Sequence, residues 1–230
     1  MTYPQFCIIS IGTLSANSIW NEQSDTRTGH STTTLVSVGD EHVLVNPSLP
    51  PAALLARLSE RTNIRPEQIS RVFLTSFDIE NRRGLSVFPD AHWLMYQPEI
   101  EAASETLEVR NSEALADENF DLAALYEQDL EILGRIEAAP DHVLANVDLF
   151  PLIGVTPGCC GLILSEARRT VLISGDAIPS DEHLQRGEVL STSWDLKLSQ
   201  EALKESLEIA DVIIPGRDNV ILNPLRTVFS

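Results

Sequence analysis

The chain has 230 residues, of which 43% are hydrophobic and 22% charged, a composition that suits a globular protein able to bury a substantial core in a single domain spanning 1–230. A formal charge of −18 excludes nucleic acid and anionic membranes as expected partners, because binding phosphate needs a basic footprint. The three cysteines, Cys7, Cys159 and Cys160, are an odd count without a spaced framework and imply a reducing, cytoplasmic setting; no apolar run reaches bilayer length.

The first apolar run is short and β-branched, and no Lys or Arg precedes it. Phe6 to Ile11 therefore reads as a strand and not as the core of a signal peptide. A polar stretch follows through Asn17, Asn21 and Asp25 to Gly29. Ser31 to Val38 and His42 to Asn46 flank Gly39-Asp40-Glu41, the pattern of a β-hairpin. Ala52 to Arg61 is predicted helical from the spacing of Leu54, Leu55 and Leu58, and Pro66 opens a short helix. Val72 to Thr75 is a buried strand that breaks into a polar loop ending at Gly84. His92 to Met95 reads as a further strand and Glu99 to Ser104 as a short helix.

Ser104 to Asp148 is acidic and carries the weakest signal, although Leu122, Leu125, Leu130 and Leu133 predict a helix over Asp121 to Ile136. The second half opens with Val147 to Val155 and the loop Thr156-Pro157-Gly158-Cys159-Cys160-Gly161. Leu162 to Ser165 and Thr170 to Ser174 are strands around a turn at Glu166 to Arg169. Ser199 is the expected N-cap of a helix carrying Leu203, Leu207 and Ala210 on one face. Val212 to Ile214 is the last strand and runs into Pro215-Gly216-Arg217-Asp218-Asn219. Arg82-Arg83 and Arg168-Arg169 are the candidate basic patches, and each reads as a solvated turn.

Arg71 to Leu85, RVFLTSFDIENRRGL, resembles the metallo-β-lactamase superfamily signature, in which a strand runs into T-H-x-H-x-D-H-x-G-G. Thr75 and Gly84 match. Ser76 and Asp78 stand at the first two histidine positions, Glu80 and Asn81 at the aspartate and third histidine, and Arg83 at the first glycine. The opening hairpin ending in VLVNPSL is similar to that of the family, with Asn46 at the usual aspartate. TPGCCG is similar to its T-P-G-H loop, with Cys159 for histidine. VLISGDAI keeps the bridging aspartate as Asp176, and IIPGRDN carries Arg217 at the final histidine.

This resemblance implies an α/β fold, the four-layer αββα sandwich, and a site lined by Ser76, Asp78, Glu80, Asn81, Cys159, Asp176 and Arg217. In the family, imidazoles and carboxylates hold two zinc-type ions that activate a bridging hydroxide. Here the first metal's set would be Ser76, Asp78 and Cys159, and the second's Glu80, Asn81 and Arg217, with Asp176 shared. Guanidinium has no lone pair to donate, so Arg217 is expected to replace a metal as the cation among Asp78, Glu80 and Asp176. The expected protein is then a pseudo-hydrolase with no cofactor, binding an unknown small molecule or protein partner, with a homo-oligomer or pairing with an active paralogue also open.

Three enzymatic alternatives remain. One zinc, iron or manganese ion could be held by Asp78, Cys159 and Asp176 in a hydrolase of ester, thioester or lactam type. Asp78 and Glu80 could act as a metal-free acid–base pair. Cys159 could be a nucleophile if His30 or His183 reached it as a base.

Overall fold

The computed structural model describes residues 2–23 and 26–226; Asp25 of the polar stretch lies outside them. The first half supplies β1 (Gln5–Ser10), β2 (Thr33–Val38), β3 (Glu41–Val45), β4 (Arg71–Leu74), β5 (His92–Met95) and β6 (Ile136–Ala138), which neighbour one another in that order. The second half supplies β7 (His142–Leu144), β8 (Val147–Pro151), β9 (Cys160–Ser165), β10 (Thr170–Gly175), β11 (Val212–Pro215) and β12 (Ile221–Leu222), again in series. The helices are α1 (Pro51–Arg61), α2 (Ile79–Arg82), α3 (Gln97–Ala116), α4 (Phe120–Leu133), α5 (Asp181–Arg186) and α6 (Leu196–Ile209).

Side-chain alternation along the strands creates the layers. Val43, Val45, Phe73, Val171, Ile173, Val212 and Ile214 meet between the two sheets. Their neighbours Leu44, Val72 and Leu74 turn outward beneath α1 and α3, and Leu172 and Ile213 turn outward beneath α6. Both faces of these strands are covered, which is why they read as unbroken apolar runs. The result is the expected αββα sandwich. The hairpin between β2 and β3 turns at Gly39, whose φ of 61° favours glycine.

Several boundaries differ from the sequence expectation. The predicted short helix at Glu99 is the first part of the 20-residue α3, which buries little beyond Glu99, Leu107 and Ala114 and so shows no apolar stripe. The helix expected to reach Ile136 stops at Leu133, because Gly134 ends it and Ile136 opens β6. Helix α6 starts at Leu196, since Asp195 and not Ser199 caps it, accepting from the Lys197 and Leu198 amides. Strands β7 and β12 are too short, and helices α2 and α5 too brief, to give a sequence period. Among the described residues no helix is long and apolar enough to cross a membrane.

Strand β4 runs parallel to β3 and β5, and β10 runs parallel to β11. Their C-terminal ends therefore open on the same rim, where α/β sheets place their functional loops.

Candidate functional site

Asp176 follows β10 and Arg217 follows β11 by two residues, so the parallel pair delivers both to one place. Arg217 grips the carboxylate with a fork: Nε donates to Oδ1 at 2.8 Å and Nη2 to Oδ2 at 2.7 Å. Its third nitrogen, Nη1, pairs with Glu80 Oε2. The Arg217 side chain is 5% exposed and that of Asp176 9%, so water contributes little to the solvation of either.

The backbone around the fork leaves no slack. The Arg217 amide donates to Pro179 O at 2.8 Å, the Gly216 amide to Ile178 O at 3.0 Å, and Gly216 O accepts from Thr32 N at 2.7 Å. A Cβ at Gly216 would stand 2.3 Å from Asp176 Oδ1, and one at Gly29 would stand 2.3 Å from Glu80 Oε1. Glycines at these two places let the 29–32 segment and the β11 loop close over the ion pairs. The Arg217 site is a sealed centre.

Electrostatics agree with that geometry. Burial alone would pull the guanidinium pKa down. The charge and hydrogen bonds of Asp176, with the charges of Glu80 and then Asp78, outweigh it and hold Arg217 protonated well above the ordinary arginine range.

The other motif residues are distributed around this centre. Ser76 and Asn81 are buried and bonded to each other, Asn81 Nδ2 donating to Ser76 Oγ at 2.7 Å, while Asn81 Oδ1 accepts from Ser31 Oγ. Two polar groups that would face a cation are thus turned into mutual partners. Asn46 fixes the loop from below: its Oδ1 accepts from Thr75 N at 3.0 Å and its Nδ2 donates to Thr75 Oγ1 at 2.9 Å. Asp78 is exposed and caps α2, accepting from Glu80 N at 2.7 Å. It acts on Arg217 through its charge and makes no ion pair with it.

Cys159 borders the centre, close enough to feel the Asp176 charge, but packs among apolar side chains. It is fully buried in the apolar cluster outside the second sheet, with Leu152, Leu172, Ala177 and Ile178, and Cys160 faces the opposite way into the space between the sheets. Burial, then the charges of Cys160, Glu99 and Asp176, push the Cys159 thiol far above its usual range. Among the described residues, no three His, Cys, Asp or Glu side chains are grouped to hold a metal ion. The donor set present does not fit a dinuclear centre, since a serine hydroxyl, an asparagine amide and a guanidinium stand at three of the motif positions.

His30 binds backbone, its Nε2 3.1 Å from Ile11 O. His183 is 1% exposed and shares a 2.8 Å hydrogen bond between Nδ1 and Ser180 Oγ, while among the described residues its Nε2 has no partner. Arg82, expected in a solvated turn, is instead buried: Nε donates to Phe77 O at 2.9 Å and Nη2 pairs with Asp129 at 2.8 Å. Arg169 keeps to its turn and pairs with Glu166.

One residue at the rim was missed by sequence reasoning. Glu99, at 4% exposure, accepts from Phe77 N at 3.0 Å, Thr156 Oγ1 at 2.6 Å and Gly158 N at 3.1 Å. It ties the β4 loop to the Thr156-Pro157-Gly158 loop. An acidic residue just after Pro98 in a first helical turn reads simply as a dipole partner, so its position carried no special signal.

A family model described as the metallo-beta-lactamase superfamily matches residues 26–217. No curated protein sequence matches. Among solved structures, a Thermotoga maritima protein assigned as a metallo-beta-lactamase is 14% identical, covering 96% of this chain and 99% of its own with a TM-score of 0.67. AidC, a dizinc quorum-quenching lactonase solved with N-hexanoyl-L-homoserine, is 14% identical over 94% of this chain and 85% of its own, TM-score 0.64. An N-acyl homoserine lactone hydrolase with the same product at its metal centre is 18% identical over 95% and 94%, TM-score 0.65.

Proposed function

This chain belongs to the metallo-β-lactamase superfamily, and we propose that it is a pseudo-hydrolase in which Arg217 has taken the place of a metal ion. The adjoining cleft then serves to bind a small molecule or a protein partner. The observation that carries this reading is the buried fork of Arg217 on Asp176, completed by Glu80. A fixed cation already neutralises these carboxylates, and a second cation placed there would meet a guanidinium that cannot be deprotonated. The alternative of one ion on Asp78, Cys159 and Asp176 gains no support from the geometry, since Asp78 is exposed and Cys159 is committed to an apolar cluster.

Elemental analysis of protein purified without chelator, before and after supply of zinc, manganese or iron, tests the reading. The expected content is far below one ion per chain, with no turnover of ester, thioester, lactone or lactam substrates. Stoichiometric metal lost in Asp78→Ala or Cys159→Ala would overturn it in favour of the mononuclear hydrolase.

A further inference from the structure

The sealed centre leaves open the question of where a ligand would enter. A cavity of about 430 Å³ opens beside it, between the β4 loop, α2 and the face of α3 that begins at Glu99. That volume is in the range of small-molecule sites. Its lining on α3 runs Glu99, Ala102, Ala103, Thr106, Leu107 and Arg110, a helical stripe about 16 Å long at 1.5 Å per residue.

The trough is graded along its length. At the inner end Glu99 is saturated by three donors and offers a ligand little. In the middle, Ala102 and Ala103 are small, so the space lies against Phe77, Leu107 and Pro157. Two guanidinium groups belong to the lining, Arg110 at the outer end of the stripe and Arg82 beside Phe77. Arg82 is 4% exposed on its side chain, held by Phe77 O and Asp129, and stacked 4.1 Å from the Phe77 ring centre. Those contacts engage Nε and Nη2 and leave Nη1 over. Arg110 is exposed, and among the described residues its side chain has neither an ion pair nor a hydrogen-bond partner.

The other acids in the lining are already committed. Asp129 is paired with Arg82, and Asp78 is exposed to water and spends an oxygen on the Glu80 amide. Arg110 is therefore the charged group on this α3 stripe whose side chain is left without a partner among the described residues.

We propose that this trough binds an amphipathic monocarboxylate, with its chain along Ala102, Ala103 and Leu107 and its carboxylate on Arg110 and Arg82. The head lies at the outer end, away from Arg217. The proposal deepens the binding-protein reading above by naming a ligand class, but the cavity does not depend on the absence of metal.

Calorimetric titration with decanoate, and with decanol as the neutral-headed control, tests it. Arg110→Ala removes the head contact at an exposed position, and Thr106→Trp fills the trough from another exposed position. Wild type should bind decanoate. Arg110→Ala should weaken decanoate about tenfold or more, the value of a charged hydrogen bond, and leave decanol unchanged. Thr106→Trp should weaken both. Absence of decanoate binding up to about 1 mM, a Kd at the edge of useful affinity, would overturn the proposal. So would decanoate affinity unchanged in either variant, or loss in Arg110→Ala that extends equally to decanol. Metal analysis of the same samples separates the two readings. Metal-loaded protein that binds decanoate removes the pseudo-hydrolase and keeps the trough, whereas metal-free protein that ignores decanoate removes only the trough.

Discussion

Replacing Arg217 with methionine keeps much of the side chain's length and removes its charge, leaving Asp176 and Glu80 facing one another. Breaking a buried ion pair by deleting one member costs about 3–5 kcal/mol, because the survivor is left uncompensated. Glu80 is 20% exposed and can turn toward water, which places the expected loss near the lower end, about 3 kcal/mol. For a domain of this size that is a fall in Tm of roughly 6–12 °C. Arg217→Lys retains the charge without the planar fork and should lose less, about 1–2 kcal/mol. Adding Asp176→Asn to Arg217→Met should recover part of the loss, since the stranded charge is removed with its partner, giving a coupling of at least about 1 kcal/mol. Urea unfolding of wild type, Arg217→Met, Arg217→Lys, Asp176→Asn and the double variant measures each quantity. A methionine variant within about 0.5 kcal/mol of wild type, or strict additivity in the double variant, would refute the idea that Arg217 neutralises this centre.

Glu99→Ala orphans two backbone amides and a threonine hydroxyl at the rim, and should cost about 2–4 kcal/mol; hydrogen exchange should quicken at Phe77 and Gly158, and unchanged protection there would refute the tie. Burial lowers the His183 pKa below its ordinary 6.5, so the unfolded chain binds more protons than the folded one as pH falls below that value. Stability should therefore drop on acidification from that point, and His183→Gln should flatten the dependence measured by Tm against pH. Cys159 and Cys160 are buried and Cys7 is partly exposed; a thiol reagent should find Cys7 alone in the native protein and all three cysteines after denaturation, and native labelling of Cys159 would place it in an accessible cleft.

The parts of this structure that were legible in the sequence are those set by local periodicity or by a fixed loop. Strands such as Val43–Val45 and Val171–Ile173 are covered on both faces and declare themselves as apolar runs. The pairing of Asp176 with Arg217 was legible through the family resemblance, which set both at positions of one site, and the parallel strands β10 and β11 bring them together. Cys159 was not, since one residue of register decides whether a side chain at the start of β9 faces the cleft or the outer helices. Arg82 and Glu99 were missed for a related reason. Each looks like a surface charge in its own helix, and what buries it comes from chain far away, Asp129 for one and the Thr156–Gly158 loop for the other.

Helix α2 connects the sealed centre to the open trough. Within a single turn Glu80 reaches Arg217 on one side and Arg82 lines the trough on the other, while Asp78 caps the turn between them. A helix of a single turn has no rigidity apart from its anchors, which here are these contacts and the buried Asn81, bonded to Ser76 and Ser31. The Arg217 guanidinium therefore also bears, through Glu80, on where the trough's buried arginine stands. Glu80→Gln, which weakens one anchor without creating a void, should reduce decanoate affinity by roughly two- to tenfold although the substituted side chain touches no part of the ligand, the range of coupling carried through a packed element. Decanol, which makes no demand on Arg82, should be unaffected. Equal decanoate affinity in wild type and variant, measured well below the melting transition, would show that α2 is positioned without Glu80 and that the two sites are independent.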